Sequence, residues 1–474
     1  MTSTPPITDV TGGVGGLAAT YAAVRALADR FDRAGDRLRA RAADDRRVLT
    51  DAALTESAPL SPLTYVEAEA RLLDATCGVH GALESSVTYE ADALLVRTTV
   101  GAFEECDRLV AASFDVLDYV AGRAVGTTVA TWVPELALLG VLAVPVWRQL
   151  PDDTRRRLGD NLQEWADEHP ELVQHAVEGS GGLLDGLLGE VPKAGGLLGL
   201  AAFHPTAGDA AADLAGLYAP EGRAHVRRRP DLGVPSGEDP PSDVADLMQH
   251  LEQTNGLSPA DRPGDQGTIE VQTLRAADGS VRHVVYLPGS DDLTTTPWSE
   301  NADVRDLPAD LHVITGDHTA YADGIARAMH EAGIGPHDPV LLVGHSLGGI
   351  EAASMLSHGS DFDVTHVVTA GSPVAGLHGF PPGSHVLSLE NQGDLVPLLD
   401  GHDNADSVAQ VTVRFDDHET SIAGNHDMSH YVRGAAAVDA SADPSVREQV
   451  ASLHAQGFLG STGSATSQVF QITR

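Results

Sequence analysis

Residues 340–349 read Val-Leu-Leu-Val-Gly-His-Ser-Leu-Gly-Gly, and the helix-prone run Ile350–Leu356, with Glu351, Ala352, Ala353 and Met355, follows directly. Four apolar residues running into G-x-S-x-G are the pattern of a strand that turns sharply into a helix. The serine then stands exposed at the crossing, between a strand end and a helix N-terminus. Gly344 and Gly348 leave room for the close chain crossing that such an elbow requires. The plainer alternative is a glycine-rich strand–helix turn without chemistry. The nucleophile reading makes Ser346 the candidate attacking group.

A serine nucleophile needs a base, and the base needs a carboxylate to orient it. Downstream, Val364–Thr369 is a short β-rich run that ends in Ala370-Gly371-Ser372-Pro373. His385–Glu390 follows and leads into Asn391-Gln392-Gly393-Asp394-Leu395-Val396-Pro397. Gln410–Phe415 alternates as a half-buried strand does, and a polar loop leads from it to His426. The serine therefore follows one strand, Asp394 the second strand after it, and His426 the third. That order brings three side chains to one edge of a parallel sheet. His418 and His430 rival His426; Asp400, Asp403, Asp416 and Asp417 rival Asp394. Asp416 and Asp417 come too late in the strand order, and His430 belongs to the next helix. His345 reads as a packing or positioning residue.

These segments resemble class 3 lipases, the triacylglycerol lipase branch of the α/β-hydrolases. The resemblance rests on Gly344-His345-Ser346-Leu347-Gly348-Gly349, on Gly371-Ser372-Pro373 with Gly376, on Gly393-Asp394-Leu395-Val396-Pro397, and on His426 with Tyr431 five residues later. It spans roughly residues 268–440. It implies a sheet with helices on both faces and an acyl-enzyme mechanism on carboxylic esters. Ser346 would be the nucleophile, His426 the general base and Asp394 its orienting acid. The backbone N–H of Leu347 and the loop after the early strand Val281–Leu287 would supply the oxyanion donors. Ser290 is the candidate in that loop, through its N–H and its hydroxyl. This chain departs from the family at that loop, with Leu287-Pro288-Gly289-Ser290 where Arg-Gly-Thr is usual.

The fold class expected is α/β, an α/β-hydrolase sheet in the C-terminal half preceded by an all-helical N-terminal module. Five segments are expected: a helical hairpin over 1–122, apolar helical segments over 123–203, a linker over 204–267, the hydrolase domain over 268–459 and a loose tail over 460–474. A chain of 474 residues is too long for one compact core. Residues 14–48 repeat Leu17, Val24, Phe31 and Leu38 at intervals of seven, a coiled-coil-like seam. A second helical stretch, Leu63–Val120, repeats Val66, Leu73, His80, Val87 and Leu94. Such a hairpin needs further helices or a helical protein partner over 14–120 to bury both faces. It resembles the hairpins of leaderless type VII secretion substrates in architecture.

Residues 124–150 and 179–203 are strongly apolar. One reading is a membrane-docking hairpin, since a spanning helix needs about 20 apolar residues. The other is a buried helix pair, since Pro134, Glu135 and Pro145 interrupt the first stretch and Asp185, Glu190, Pro192 and Lys193 the second. Between Asp291 and Asp310 lies a long loop that reads either as a lid, with Trp298 over an acyl pocket, or as surface. Leu311–Thr315 reads as the strand after it.

The net charge is −38, from 68 acidic residues against 30 basic ones. So acidic a surface argues against nucleic acid and against adsorption to anionic headgroups. No Cys/His spacing suggests a metal, and no cofactor is expected. Cys77 and Cys106 read as small buried residues. The first residues show no basic and apolar signal-peptide regions, which fits a cytoplasmic or leaderless-secreted bacterial protein. The substrate expected is an ester or lipid, with phospholipase, thioesterase and acyltransferase as variants of the same chemistry. A different reading is an effector or interaction protein whose hydrolase domain is a phospholipase toxin or a catalytically decayed scaffold.

Overall fold

The computed structural model describes residues 4–132 without 79, then 174, 177–189, and 203–474 without 260, 294, 296, 298, 300, 378, 420, 422 and 423. The chain divides into two units, Leu17–Ala112 and the remainder, residues 1–16 with 113–474. The helical unit is thus inserted in sequence after the first strand of the larger one.

In the inserted unit, α1 (Leu17–Leu49), α2 (Ala52–Ser57), α3 (Pro62–Cys77) and the first part of α4 (Ala82–Trp132) follow one another. Helices α1 and α4 run antiparallel. Tyr21 Oη donates to Asp107 (2.9 Å), Arg97 pairs with Asp29 (2.7 Å) and Arg39 reaches Ser86 Oγ (3.3 Å). The seam keeps the period of seven but not the expected phase. Ala28, Gly35 and Ala42 of α1 and Ser86, Ala93 and Val100 of α4 are buried. Small residues let the two backbones approach, which pushes the larger side chains to the flanks. Leu17, Val66, Leu73, Val87 and Leu94 are exposed. The single stretch expected over Leu63–Val120 breaks after Gly78, which caps α3. Cys77 and Cys106, expected as buried, are exposed and unpaired.

The larger unit is a mixed α/β layer structure. In chain order it holds β1 (Ile7–Gly12), α5 (Ser180–Gly189), α6 (Ala207–Ala215), β2 (His225–Arg228), α7 (Val244–Asn255), β3 (Thr268–Arg275) and β4 (Val281–Leu287). Next come α8 (Leu307–Ile314), α9 (Ala320–Glu331), β5 (Pro339–His345), α10 (Leu347–His358), β6 (Asp363–Ala370) and β7 (His385–Asn391). The unit ends with β8 (Gln410–Phe415), α11 (Met428–Asp439), α12 (Pro444–Gln456) and β9 (Ser464–Thr473). The nine strands form one sheet in the order β1-β8-β7-β6-β5-β4-β3-β9-β2. Strands β4 to β8 run parallel, and β1, β3, β9 and β2 join antiparallel.

Alternate residues of each strand feed opposite cores, as the two-residue period dictates. Val285, Leu287, Val340, Leu342 and Val367 face α8, α9 and α10 through Val313, Ile325, Met329 and Ile350. Val284, Tyr286, Leu341, Val343 and Val368 face α7, α11 and α12 through Leu247, Leu251, Tyr431 and Leu453. The sheet is covered on both sides, so its parallel strands read as continuous apolar runs.

Three expectations are corrected here. The 204–267 linker contributes α6, the edge strand β2 and α7, whose Val244, Leu247, Met248 and Leu251 are fully buried. The tail over 460–474 holds β9, which lies between β3 and β2 with Val469, Phe470 and Ile472 buried. Leu311–Thr315 is not a strand. Asp306 caps a helix there and Pro308 sits in its first turn, so α8 takes the segment. Trp298, most of 124–150 and residues 190–202 lie outside the described residues. Among the described residues no helix is long and apolar enough to cross a membrane.

Candidate active site

Ser346 stands between the last residue of β5 and the first of α10, with φ 52° and ψ −125°. A non-glycine residue at positive φ is strained, and the surrounding contacts must hold it there. Its N–H donates to the Ala370 carbonyl at the end of β6 (3.0 Å). The crossing leaves no space for side chains. A Cβ at Gly348 would stand 2.0 Å from the Leu287 carbonyl oxygen, and one at Gly344 would stand 2.2 Å from that of Gly348. The N–H of Leu347 opens α10, where a helix has no internal acceptor to offer, and no acceptor in the described residues meets it.

Asp394 follows β7 in a tight turn, and its side chain is almost wholly buried. One carboxylate oxygen accepts from the Val396 N–H (2.9 Å). The other accepts from His426 Nδ1 (2.7 Å) and from the Tyr431 hydroxyl (2.5 Å). With its Nδ1 proton held by a carboxylate, His426 presents Nε2 as the basic nitrogen. His426 sits in the short turn Gly424–His426 after β8. Asn391 at the end of β7 donates to both oxygens of Asn425, at 3.1 and 2.9 Å, and so anchors that turn. The His345 ring lies 4.4 Å from the His426 ring, and its Nε2 donates to the His426 carbonyl (3.0 Å). Burial pushes His345 well below its usual range, so it stays neutral. Burial, and then the adjoining Asp394, hold the Tyr431 phenol well above its usual range.

Two of the three expected groups, Asp394 and His426, are thus in direct contact, and the third stands at the end of β5, with β6 lying between β5 and β7 in the sheet. The Ser346 hydroxyl makes no hydrogen bond to the imidazole in this geometry. The rivals are engaged elsewhere. His430 and Arg433 pair with Asp417, His418 with Asp416, and Arg414 with Asp403. Asp400 accepts from the Gly376 N–H (2.9 Å).

The loop after β4 lies against Ser346. A Cβ at Gly289 would stand 2.9 Å from Ser346 Cβ, so only glycine fits. The Ser290 N–H has no acceptor among the described residues. The Ser290 hydroxyl lies 2.7 Å from Asp310 Oδ2. Sequence reasoning missed the residue that braces this loop. Arg305, fully buried, donates to the Gly289 carbonyl (2.9 Å) and to Ser258 (2.8 Å) and pairs with Asp291 (2.6 Å). Nothing local to residue 305 signals this role.

Behind the loop is a cluster of acids. Burial pushes Asp310 up to about 7, Asp306 to about 7 and Glu351, one turn beyond Ser346, to about 8. Thr319 donates to Glu351, and Arg474 pairs with both Glu221 and Asp306. Among the described residues no cluster of His, Cys, Asp and Glu has the arrangement of a metal site. No protein-family model, curated protein or solved structure matches the chain.

Proposed function

We propose that the larger unit is a serine hydrolase of the α/β-hydrolase type, cleaving carboxylic esters in the manner of lipases and esterases. The observation that carries this reading is the Asp394–His426 hydrogen bond delivered beside a serine at positive φ. The order of strands supports it, and so do the two unengaged N–H groups of Leu347 and Ser290.

In this reading the Ser346 Oγ attacks the acyl carbonyl carbon while its proton passes to His426 Nε2. Asp394 holds the imidazole tautomer and stabilises its cation. The carbonyl oxygen becomes an oxyanion that accepts from the Leu347 and Ser290 N–H groups, a donor pair of the kind worth about 2.7–4 kcal/mol per member. Collapse expels the alcohol, which takes the proton from His426. Water then repeats the sequence on the acyl-enzyme and releases the acid. The absence of a Ser346–His426 hydrogen bond accords with catalytic hydrogen bonds that tighten only when substrate binds.

The second reading is a leaderless effector or a decayed scaffold. It draws on the exposed apolar side chains of the inserted unit, Leu63, Val66, Leu94 and Leu95 among them, which suit a helical protein partner. Hydrolysis of p-nitrophenyl esters of graded acyl length, with Ser346→Ala as control, separates the two. An esterase or lipase gives turnover that vanishes in the variant. Equal rates in both proteins, or no rate in either, leave the scaffold reading.

A further inference from the structure

The Ser290 hydroxyl can serve the oxyanion only if its proton is not committed elsewhere. Its one partner among the described residues is Asp310 Oδ2 at 2.7 Å. An ionised carboxylate has no hydrogen to give, so facing it the Ser290 O–H must donate into the carboxylate and away from Ser346. A neutral carboxyl permits the opposite direction: when its O–H donates to Ser290 Oγ, the Ser290 O–H is free to turn toward the oxyanion. We propose that Asp310 is a positioning residue whose proton sets the direction of the Ser290 hydroxyl, giving the oxyanion three donors when Asp310 is neutral and two when it is charged. This rests on the hydrolase reading and adds a control to it.

The fold supplies both halves of such a device. Gly289 packs on Ser346, so Ser290, the next residue, is held at the rim of the reacting centre. Arg305 grips the Gly289 carbonyl from behind, which fixes the loop and leaves the hydroxyl rotor as its free degree of motion. Asp310 is on α8, and the groups around it are acidic. Asp306 lies one turn earlier on its own element, Glu221 precedes β2, and Glu351 faces it from α10. The cation nearby, Arg474, is engaged with Glu221 and Asp306. Burial among like charges raises the Asp310 carboxyl to about 7, so the proton leaves for solvent as pH rises through neutrality.

The test is the pH profile of kcat for p-nitrophenyl ester hydrolysis by the full chain, with fluorophosphonate labelling of Ser346 run in parallel. The native chain is expected to lose at least about tenfold in kcat above the transition, since one oxyanion donor is typically worth about 10²–10³. Asp310→Asn keeps a donor facing Ser290 at every pH, and should abolish the alkaline fall. Ser290→Ala should also abolish it, at a level matching the native alkaline plateau. Glu351→Gln should retain it. An alkaline fall that persists in Asp310→Asn or Ser290→Ala, or one that disappears only in Glu351→Gln, overturns the proposal. If Asp310→Asn does not fold, Ser290→Ala decides alone. Failure of the native chain to label at Ser346 removes the hydrolase reading and this proposal with it, whereas labelling with an unchanged variant profile removes only the proposal.

Discussion

His345 Nε2 donates to the backbone carbonyl of His426 at 3.0 Å, so the residue immediately before the candidate nucleophile holds the loop of the candidate base. Two segments 81 residues apart are thereby registered by one neutral imidazole. Replacing it with phenylalanine keeps the ring and deletes the donor. An unpaired buried carbonyl costs about 1–3 kcal/mol, so His345→Phe should lower kcat by roughly 5- to 100-fold with KM little changed. Because the imidazole stays neutral, the loss should be constant from about pH 5 to 8. A variant whose deficit titrates in that range would contradict this role.

Asp394→Asn should be the most informative single change. The amide can donate to His426 Nδ1 and so favour the tautomer that protonates Nε2, the nitrogen that must act as base. A loss of about 10³- to 10⁴-fold in kcat is expected, while circular dichroism and melting behaviour remain near those of the native chain. A loss below tenfold would show that another group orients His426.

Tyr431→Phe removes the phenol that donates to the same carboxylate oxygen at 2.5 Å. Asp394 retains His426 and the Val396 N–H, so activity should drop only a few-fold. Stability should fall by about 1–3 kcal/mol, read from the urea midpoint at unchanged slope. No change in midpoint would mean that the hydroxyl is dispensable to the buried acid.

Gly289→Ala places a methyl group 2.9 Å from Ser346 Cβ. The loop must retreat, which separates the Ser290 donors from Ser346. Labelling of Ser346 by fluorophosphonate should slow by at least about tenfold, while the folded population persists, because a shift of about 1 Å in a reacting geometry costs roughly 10² in rate. Gly348→Ala is different in kind. Its Cβ would lie 2.0 Å from a backbone oxygen of β4, and insoluble or unfolded protein is the expected result.

Glu351 carries a pH signature. Its carboxyl rises from the ordinary 4.5 to about 8 because burial penalises the charged form. The folded state therefore favours the protonated acid. That stability is complete below about pH 4.5 and is lost as pH rises toward about 8, at about 1.4 kcal/mol per unit. Asp306 and Asp310, both raised to about 7, act with the same sign. Glu351→Gln should flatten the decline without abolishing it, as urea midpoints at about pH 5 and pH 8.5 would reveal. A variant with the native slope would show that Glu351 is not the group being titrated.

The parts of the fold legible in the sequence are those with strong local signals. Apolar runs ending in glycine located β5, and Val281–Leu287, read as the early strand, is β4. Counting strands from Ser346 placed Asp394 and His426 on adjoining loops, and those two side chains do meet. What escaped was decided at a distance. The Ser/Thr/Gly content around residue 460 masked β9, whose Phe470 and Ile472 are buried by pairing with β3 and β2 and packing on α9. The heptads of the helical unit had the right period and the wrong phase, because backbone approach rather than side-chain size chose Ala28, Gly35 and Ala42. Arg305 braces Gly289 from sixteen residues away, a relation that no spacing rule contains.

The placement of β1 and β9 has a consequence for synthesis. Ile7 pairs with Phe415, and β9 inserts between β3 and β2, so both flanks of the sheet are closed by pairings distant along the chain. Such a high contact order slows folding. A nascent chain emerging from the ribosome would carry the bare edge of β3 until β9 had cleared the exit tunnel. During that interval the helical insertion, whose contacts are more local, is free to fold first, while the elbow serine waits unformed for a sheet that has not yet closed.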